Sequence, residues 1–231
     1  MALDEALLQT APARGAALLR VYSWTTPSVS FGYFQKFPAD LAAQYTVIRR
    51  PTGGGVVYHV ADTTYTVVVP VGHSLYKMST NDAYCVIHKA VAAAFDHAPT
   101  LHTAPVVSPT GQYECFKKPV HGDVVADGRK LAGGAQRRSK TGMLHQGSIA
   151  TRLDPVQLRA GFEQTLSVRF QEYELTAAER DLAARLAAEK YATPYAAAEP
   201  RFHGWPDRHG HPQRDPRCPG QRVGQIGRAH V

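Results

Sequence analysis

The chain has 231 residues, 44% of them hydrophobic, which is enough for one domain with a buried core. No apolar run approaches the roughly 18–20 residues that a membrane span needs, and the N-terminal residues lack the basic and apolar regions of a signal peptide. Three cysteines without a C-x-x-C pair do not form a disulfide framework. We therefore expect a soluble, cytoplasmic protein that does not bind a membrane.

The net charge of +7 is unevenly distributed. Residues 200–231 contain six arginines and two aspartates, so they contribute +4. Residues 1–199 carry 20 basic and 17 acidic side chains, which leaves only +3 for most of the chain. This balance gives little support to a nucleic-acid-binding surface, and we expect no nucleic-acid partner.

The first half of the chain is rich in predicted strands. Apolar runs bounded by turn residues predict strands at 17–24, 28–34, 45–50, 56–60 and 63–70. A helix is predicted within residues 79–98, with Asn81 as its N-cap. Its apolar stripe consists of Tyr84, Ile87, Val91, Ala94 and Phe95.

The second half begins with a predicted hairpin and ends in helices. In residues 123–134 the dipeptide Asp127-Gly128 favours a tight turn between two strands, and residues 143–150 form one more strand. Asp154-Pro155 starts a helix, and Thr176 with Glu179 forms a capping box that opens another. Runs of strands with segregated helices predict an α+β domain over residues 1–198, built on a mixed, mainly antiparallel sheet flanked by helices.

Residues 199–231 have a different character. From Pro200 onward there are five prolines, five glycines, no leucine and no helix or strand period. This composition predicts a disordered tail. The last six residues, IGRAHV, back-translate to ATCGGAAGAGCACACGTC, which resembles a common sequencing adapter, so the tail is alternatively artefactual. We expect no function from it.

The stretch RRPTGGGVVYH, Arg49 to His59, is the first candidate for chemistry. Three consecutive glycines allow a ligand to approach backbone N–H groups closely, and Arg49 and Arg50 could meet an anion. A glycine-rich turn between strands is more often only a turn. The stretch lacks both G-K-[ST] and a following helix, which excludes a P-loop and a dinucleotide fingerprint.

The second candidate is ECFKKPVHGDVVADGRKLAGGAQRR, residues 114–138. Cys115 and Lys130 are fifteen positions apart and would meet if the segment between them folds back. Singly, a lysine on a sheet is usually a snorkelling side chain and a lone cysteine a small buried hydrophobe, and Cys85 and Cys218 keep that interpretation. Together, Cys115 and Lys130 indicate a thiol nucleophile whose thiolate is favoured by a nearby cation.

The two stretches, in this order and followed by LHQGSI, resemble the biotin/lipoate A/B protein ligase family from roughly Leu18 to Tyr191. The resemblance implies the catalytic domain fold shared by lipoate-protein ligases and octanoyltransferases, with Lys130 as a catalytic residue and no metal site of the protein's own. It also implies that acyl or nucleotide groups bind at Arg49, Arg50, Gly53, Gly54, Gly55, Val56, Val57, Tyr58, His59, Gly133, Gly134, Ala135, Gln136 and Gly147.

The dipeptide Cys115-Phe116, placed fifteen residues before Lys130, is similar to that of Gram-positive-type octanoyltransferases. This resemblance implies that octanoyl passes from acyl carrier protein, through a thioester on Cys115, to a lysine of an acceptor. The acceptor would be the glycine cleavage H protein or a lipoyl domain of a 2-oxoacid dehydrogenase. No cofactor would be needed.

Two alternatives stay open. An ATP-dependent lipoate-protein ligase would form an acyl-adenylate with ATP and Mg, and the triple glycine has the ligase form. The segment HVADTTYT, however, lacks the H-D-x-G-N pattern that such ligases tend to carry. The other alternative is a non-catalytic acyl- or nucleotide-binding relative, which the presence of both Cys115 and Lys130 disfavours.

Overall fold

The computed structural model describes residues 1–104, 116 and 118–192, and the backbone of residues 229–230. Its helices are α1 (Ala2–Arg14), α2 (Ser74–Lys77), α3 (Thr80–Ala92), α4 (Pro155–Leu166) and α5 (Ala177–Leu186). Its strands are β1 (Ala17–Tyr22), β2 (Ser28–Phe31), β3 (Thr46–Arg49), β4 (Val57–His59), β5 (Thr63–Pro70), β6 (Thr100–Leu101), β7 (Val124–Ala126), β8 (Arg129–Ser139), β9 (Gly142–Ile149), β10 (Phe170–Gln171) and β11 (Ala229–His230).

The main sheet has the order β10-β11-β1-β5-β9-β8-β7-β6. The neighbouring strands β1-β5-β9-β8-β7-β6 are all paired antiparallel. Strand β11 pairs parallel with both β1 and β10. The sheet is thus mixed and mainly antiparallel, with helices on both faces. The predicted α+β class is confirmed.

The larger core lies between one face of this sheet and helices α3 and α4. Leu19, Val67 and Met143 point from the sheet toward Ile87 of α3 and Phe162 of α4. Both helices begin at side-chain caps, because the Ser79 hydroxyl accepts from the Asp82 N–H and the Asp154 carboxylate accepts from the Val156 N–H. The predicted cap Asn81 is therefore wrong by two residues, since Asn81 already lies inside the first turn of α3.

Helix α1 covers the opposite face and was not predicted from the sequence. Leu7, Leu8 and Ala11 pack on Leu18, Val68 and Leu144, which alternate with the residues of the larger core along their strands. Because helices cover both faces of the sheet, residues that point to either face are buried. This explains why β5 and β9 are buried at every position. The helix was overlooked because its acidic residues, Asp4 and Glu5, are themselves buried.

A second sheet of three strands, β3-β2-β4, carries the arginine–glycine stretch. Strand β2 pairs parallel with β3 and antiparallel with β4. Val29, Phe31 and Val56 form its small core. This sheet stands against the main sheet and supplies one wall of the cavity described below.

The hairpin β7–β8 turns at Asp127 and Gly128, as the sequence predicts. Both residues have positive φ, 48° and 71°, the conformation that a two-residue turn between antiparallel strands requires.

In the tail, Ala229–His230 forms a short strand between β10 and β1. The sequence predicts no strand there. Among the described residues, no helix is both long enough and apolar enough to cross a membrane.

Candidate active site

A narrow cavity opens where the three-stranded sheet meets the centre of the main sheet. Its lining comes from both sheets and from the hairpin region: Met1, Tyr22, Ser30, Arg50, Val57, His59, Thr64, Phe116, Lys130, Gly133, Gly134, Ala135, Gln146, Gly147 and Ser148. Eight residues predicted from the sequence are among them, namely Arg50, Val57, His59, Lys130, Gly133, Gly134, Ala135 and Gly147.

Lys130 lies on the wall of this cavity because strand β8 carries a bulge. Val124 pairs with Ala132 and Val125 with Lys130, so β8 has one extra residue between the two pairs. Without it, Lys130 and Ala132 would share a face. With it, Ala132 points into the larger core, while a Cβ on Gly133 would fall only 2.4 Å from Lys130 Nζ. Gly133 must therefore lack a side chain for Lys130 to lie where it does.

Asp123 holds the ammonium group of Lys130. Nζ lies 2.7 Å from Asp123 Oδ2, and the two side chains are 5% and 0% exposed. Asp123 also accepts hydrogen bonds from the Tyr84 hydroxyl at 2.6 Å and the Val120 N–H at 2.6 Å. Burial, together with the charge of Asp123, raises the pKa of Tyr84 well above its usual value, so its hydroxyl stays protonated and donates. Lys130 also lies 5.2 Å from the ring centroid of Phe116, close enough for a cation–π contact.

Two glycines of the cavity wall make room for a buried aromatic pair. Gly134 and Gly147 are partners across β8 and β9, and Gly147 is also the partner of Tyr65 on β5. A Cβ on Gly147 would lie 2.2 Å from the Tyr65 ring, and one on Gly134 would lie 2.5 Å from His145 Nε2. The Tyr65 hydroxyl and His145 Nε2 are 3.2 Å apart. The two glycines thus present bare backbone to the cavity. Because they lack a Cβ, the rings of Tyr65 and His145 can pack directly against them.

The two arginines before the triple glycine are buried, and their described partners include protein carbonyls. Arg50 donates to the carbonyls of Gly53 and Gly55 and to that of Ser30. Arg49 donates to the carbonyls of residues 33 and 35 and lies 4.4 Å above the Phe31 ring. Arg50 therefore braces the glycine loop against β2, and Arg49 holds the segment that follows β2.

The remaining predicted residues lie away from the cavity lining. Gly53, Gly54 and Gly55 form the loop that Arg50 holds, and Val56 belongs to the core of the small sheet. Tyr58 is 37% exposed, and its ring meets that of Tyr45 in an edge-to-face contact. Gln136 contacts His145 behind the sheet. Cys115 lies outside the described residues, and the residue after it, Phe116, lines the cavity.

Four residues around the cavity are not predicted from the sequence: Asp123, Ser30, Asp62 and Gln146. Asp123 had a detectable signal, because hairpin pairing from the Asp-Gly turn brings it back beside the strand of Lys130. The Gln146 amide accepts from the Thr52 hydroxyl at 2.8 Å and donates to Asp4 at 2.7 Å. It thereby ties the glycine loop to α1. Ser30 and Asp62 meet at His59, which no spacing in the sequence indicates.

The profile described as "Lipoyl protein ligase A/B catalytic domain" matches residues 1–178. The chain belongs to this family. Among curated relatives of the lipoyl protein ligase A/B family, the octanoyltransferase LipM of Kyrpidia tusciae is 36% identical over 176 residues, which is 69% of this chain and 64% of that relative. The octanoyltransferase LipM of Halalkalibacterium halodurans is 29% identical over 84% of this chain and 91% of its own length.

Solved structures of the same family share the fold. A lipoate protein ligase from T. acidophilum with bound lipoic acid superposes with a TM-score of 0.70 at 22% identity, covering 85% of this chain and 91% of that one. A lipoate-protein ligase A bound with ATP gives the same TM-score, identity and coverage. Both the predicted family and its catalytic domain fold are confirmed. Within the described ranges, no group of three or more His, Cys, Asp or Glu side chains could hold a metal ion.

Proposed function

We propose that this protein is an octanoyltransferase that moves an octanoyl group from acyl carrier protein to an acceptor lysine through a thioester on Cys115. The observation that carries the proposal is the position of Lys130, an ammonium on the wall of a buried cavity beside Phe116. Phe116 directly follows Cys115 in the chain. The likeness to relatives named octanoyltransferase supports the same activity.

The chemistry requires a thiolate. A cysteine with an ordinary pKa of about 8.5 is only slightly ionised at neutral pH, and a nearby ammonium favours the ionised form. The thiolate attacks the thioester carbonyl of the donor, and acyl carrier protein leaves as its own thiolate. The octanoyl group is then held on sulfur until the acceptor amine attacks the same carbonyl.

The cavity supplies a site for the acyl chain. Gly133, Gly134, Gly147 and Val57 line it without any polar side chain. Its volume is about 40 Å³, little more than one water molecule occupies. An octanoyl chain therefore enters only when a lining side chain moves, and Phe116 is the aromatic group at the Lys130 end.

The acceptor is a lysine of a lipoyl-bearing protein, either the glycine cleavage H protein or a lipoyl domain of a 2-oxoacid dehydrogenase. Acyl transfer between a thioester and an amine needs neither ATP nor a metal. An acyl-adenylate route through a free acid would need ATP, so a dependence on ATP distinguishes the two reactions.

The decisive experiment mixes the protein with octanoyl-acyl carrier protein in the absence of ATP and acceptor. We expect an octanoyl adduct on Cys115 by mass spectrometry, released by hydroxylamine, and octanoylation of a lipoyl domain when it is added. Cys115→Ser should abolish both. Cys85→Ser is the matched control, because Cys85 is buried in α3 beside His121 at 3.8 Å, and it should keep the activity. Modification of the lipoyl domain by Cys115→Ser with ATP and free octanoate would contradict the proposal.

A further inference from the structure

Two side chains on the cavity wall, Ser30 and His59, form a continuous hydrogen-bonded chain with Asp62. Ser30 Oγ on β2 lies 2.6 Å from His59 Nε2 on β4, and His59 Nδ1 lies 2.7 Å from Asp62 Oδ2. All three residues are buried. A hydroxyl, an imidazole and a carboxylate in this order can pass one proton along the chain.

The partners of Asp62 decide where the protons are. Burial raises the pKa of Asp62, but hydrogen bonds from His59, Ser148 and Thr64 outweigh this and lower it, so Asp62 is an ionised acceptor. His59 must then carry its hydrogen on Nδ1 and donate to Asp62, which leaves Nε2 as an acceptor. Ser30 donates its hydroxyl hydrogen to Nε2, while Arg50 donates to Ser30 Oγ at 2.8 Å.

The electrostatic environment keeps the imidazole neutral. Burial lowers the pKa of His59, Asp62 acts in the opposite direction, and Arg50 lowers it further. The Trp24 ring stacks on the imidazole at 4.3 Å. A neutral imidazole with a carboxylate at its back is a proton acceptor at physiological pH.

The hydrogen-bonded side chains face the cavity in which the proposed acyl transfer takes place. Ser30 and His59 line the same cavity as Lys130. His59 also lines a second and wider cavity of about 420 Å³, together with Tyr22, Trp24, Asp62 and Arg152. An imidazole that only held β2 against β4 would not need to border two cavities, and the wider one can admit the side chain of an acceptor lysine.

We propose that Ser30, His59 and Asp62 form a proton relay that serves the second half of the transfer, the attack of the acceptor amine on the acyl-thioester. This inference rests on the proposed octanoyltransferase activity. The acceptor lysine arrives as an ammonium. After one proton has left it, the neutral nitrogen forms a bond to the acyl carbon and the carbon–sulfur bond breaks, so that Cys115 leaves with the bonding electrons and takes up the second proton that nitrogen loses. The first proton passes to Ser30 Oγ while the Ser30 proton moves to His59 Nε2. The resulting imidazolium is stabilised by Asp62 and later releases its proton to water.

The first test measures the two half-reactions separately in single turnovers. Ser30→Ala removes the relay hydroxyl, and Arg50 keeps its bond to the residue 30 carbonyl. We expect the Cys115 adduct to form within a few-fold of the wild-type rate and transfer to the lipoyl domain to slow by about 100-fold, within the range of general base catalysis. His59→Gln should behave similarly. Ser28→Ala, which removes another buried hydroxyl of β2, one that bonds to the Thr26 carbonyl, is the matched control and should transfer normally.

The second test asks whether the lost step is proton removal. Hydroxylamine is unprotonated at neutral pH, so it should deacylate the Ser30→Ala and His59→Gln adducts at the wild-type rate while lysine transfer remains slow. Asp62→Asn should shift the acid limb of the pH profile of the second half-reaction to lower pH, because Asp62 raises the pKa of His59. Equal slowing of both half-reactions, or normal lysine transfer in Ser30→Ala, would overturn the relay. Failure of the wild-type protein to form any Cys115 adduct would instead refute the proposed function.

Discussion

The ion pair between Lys130 and Asp123 places two buried charges at the centre of the site, so the stability of the fold depends on both residues being present. Both side chains are buried, and each is held by the other at 2.7 Å. Removing one partner of such a pair leaves the other charge unpaired, which destabilises a protein by about 3–5 kcal/mol. Loss of activity in a Lys130 variant is therefore ambiguous by itself, because lost chemistry and lost folding give the same readout.

A pair of variants separates the two effects. Lys130→Ala should abolish octanoyl transfer and lower the free energy of unfolding in urea by about 3 kcal/mol or more. Lys130→Ala combined with Asp123→Asn should recover most of that stability, because no buried charge remains unpaired, and should still be inactive. If the double variant regained wild-type transfer, Lys130 would have only a structural role.

The glycines at the site differ in what each would tolerate. Gly147→Ala places a methyl group 2.2 Å from the Tyr65 ring, so we expect a loss of roughly 1–3 kcal/mol from overpacking. Gly53→Ala meets no atom within 4 Å and should leave stability nearly unchanged. Denaturant unfolding tests both. A stable but inactive Gly53→Ala protein would indicate that the triple-glycine loop contacts substrate, and a Gly147→Ala protein as stable as wild type would contradict the packing argument.

At the scale of helices, α4 and α5 begin with different kinds of N-terminal cap. Asp154 caps α4 with a single bond to the Val156 N–H in an exposed position. In the capping box of α5, Glu179 also accepts hydrogen bonds from outside its own helix. Its donors there are Arg14 at 2.9 Å, Thr10 and Tyr173. Glu179 therefore joins α5 to α1 as well as starting its own helix.

This difference predicts unequal costs for removing the caps. Asp154→Ala should lower the free energy of unfolding by about 1 kcal/mol, the usual value for an N-cap. Glu179→Ala should lower it by about 3–5 kcal/mol, because the Arg14 guanidinium is left buried without its carboxylate. Thermal unfolding of the two variants side by side measures the difference. Equal losses would mean that the Arg14–Glu179 pair adds nothing to the stability of the α1–α5 contact.

Local signals in the sequence account for most elements. The span of β5, the Asp127-Gly128 turn, the Asp154 cap and the Thr176 box depend on residues close together in the chain, so their patterns were sufficient. Helix α1 was missed because its buried acids are satisfied by distant residues: Asp4 by Arg20 and Glu5 by Lys190. A pattern that treats every carboxylate as exposed cannot detect such a helix.

The site was only partly predictable from the sequence, because contacts between residues that are distant in the chain leave no local pattern. Motif glycines and Lys130 carry local signals, whereas the neighbourhood of His59 is assembled from β2, β4 and the turn before β5. Register between strands decides that Ser30 lies opposite Val57, two residues from His59. Only the folded sheet brings the hydroxyl, the imidazole and the carboxylate together.

At the scale of the whole molecule, a layer of buried histidines lies behind the cavity. His88 and His145 are fully buried, and their rings lie 5.3 Å apart, with Tyr84 packed against both. His88 Nδ1 donates to the Gly122 carbonyl at 2.7 Å. Burial lowers the pKa of His88 to about 4, and burial together with His88 lowers that of His145 well below 6.5. Both rings are therefore neutral in the folded protein at neutral pH.

These histidines make the fold sensitive to mild acid. Because the folded-state pKa of His88 is depressed, its contribution to stability is complete above the unfolded value of about 6.5 and is lost as the pH falls through the interval down to about 4. Between pH 7 and pH 5 this one residue should remove roughly 2 kcal/mol from the free energy of unfolding. Carboxylates with lowered pKa, such as Glu5, add their own losses of stability only at lower pH.

Urea unfolding of His88→Gln measures this effect. We expect the free energy of unfolding of the variant to fall by about 2 kcal/mol less than that of the wild type between pH 7 and pH 5. Above pH 7 the difference between the two proteins should be constant. Parallel curves down to pH 5 would show that His88 accepts its proton as readily in the folded protein as in the unfolded chain.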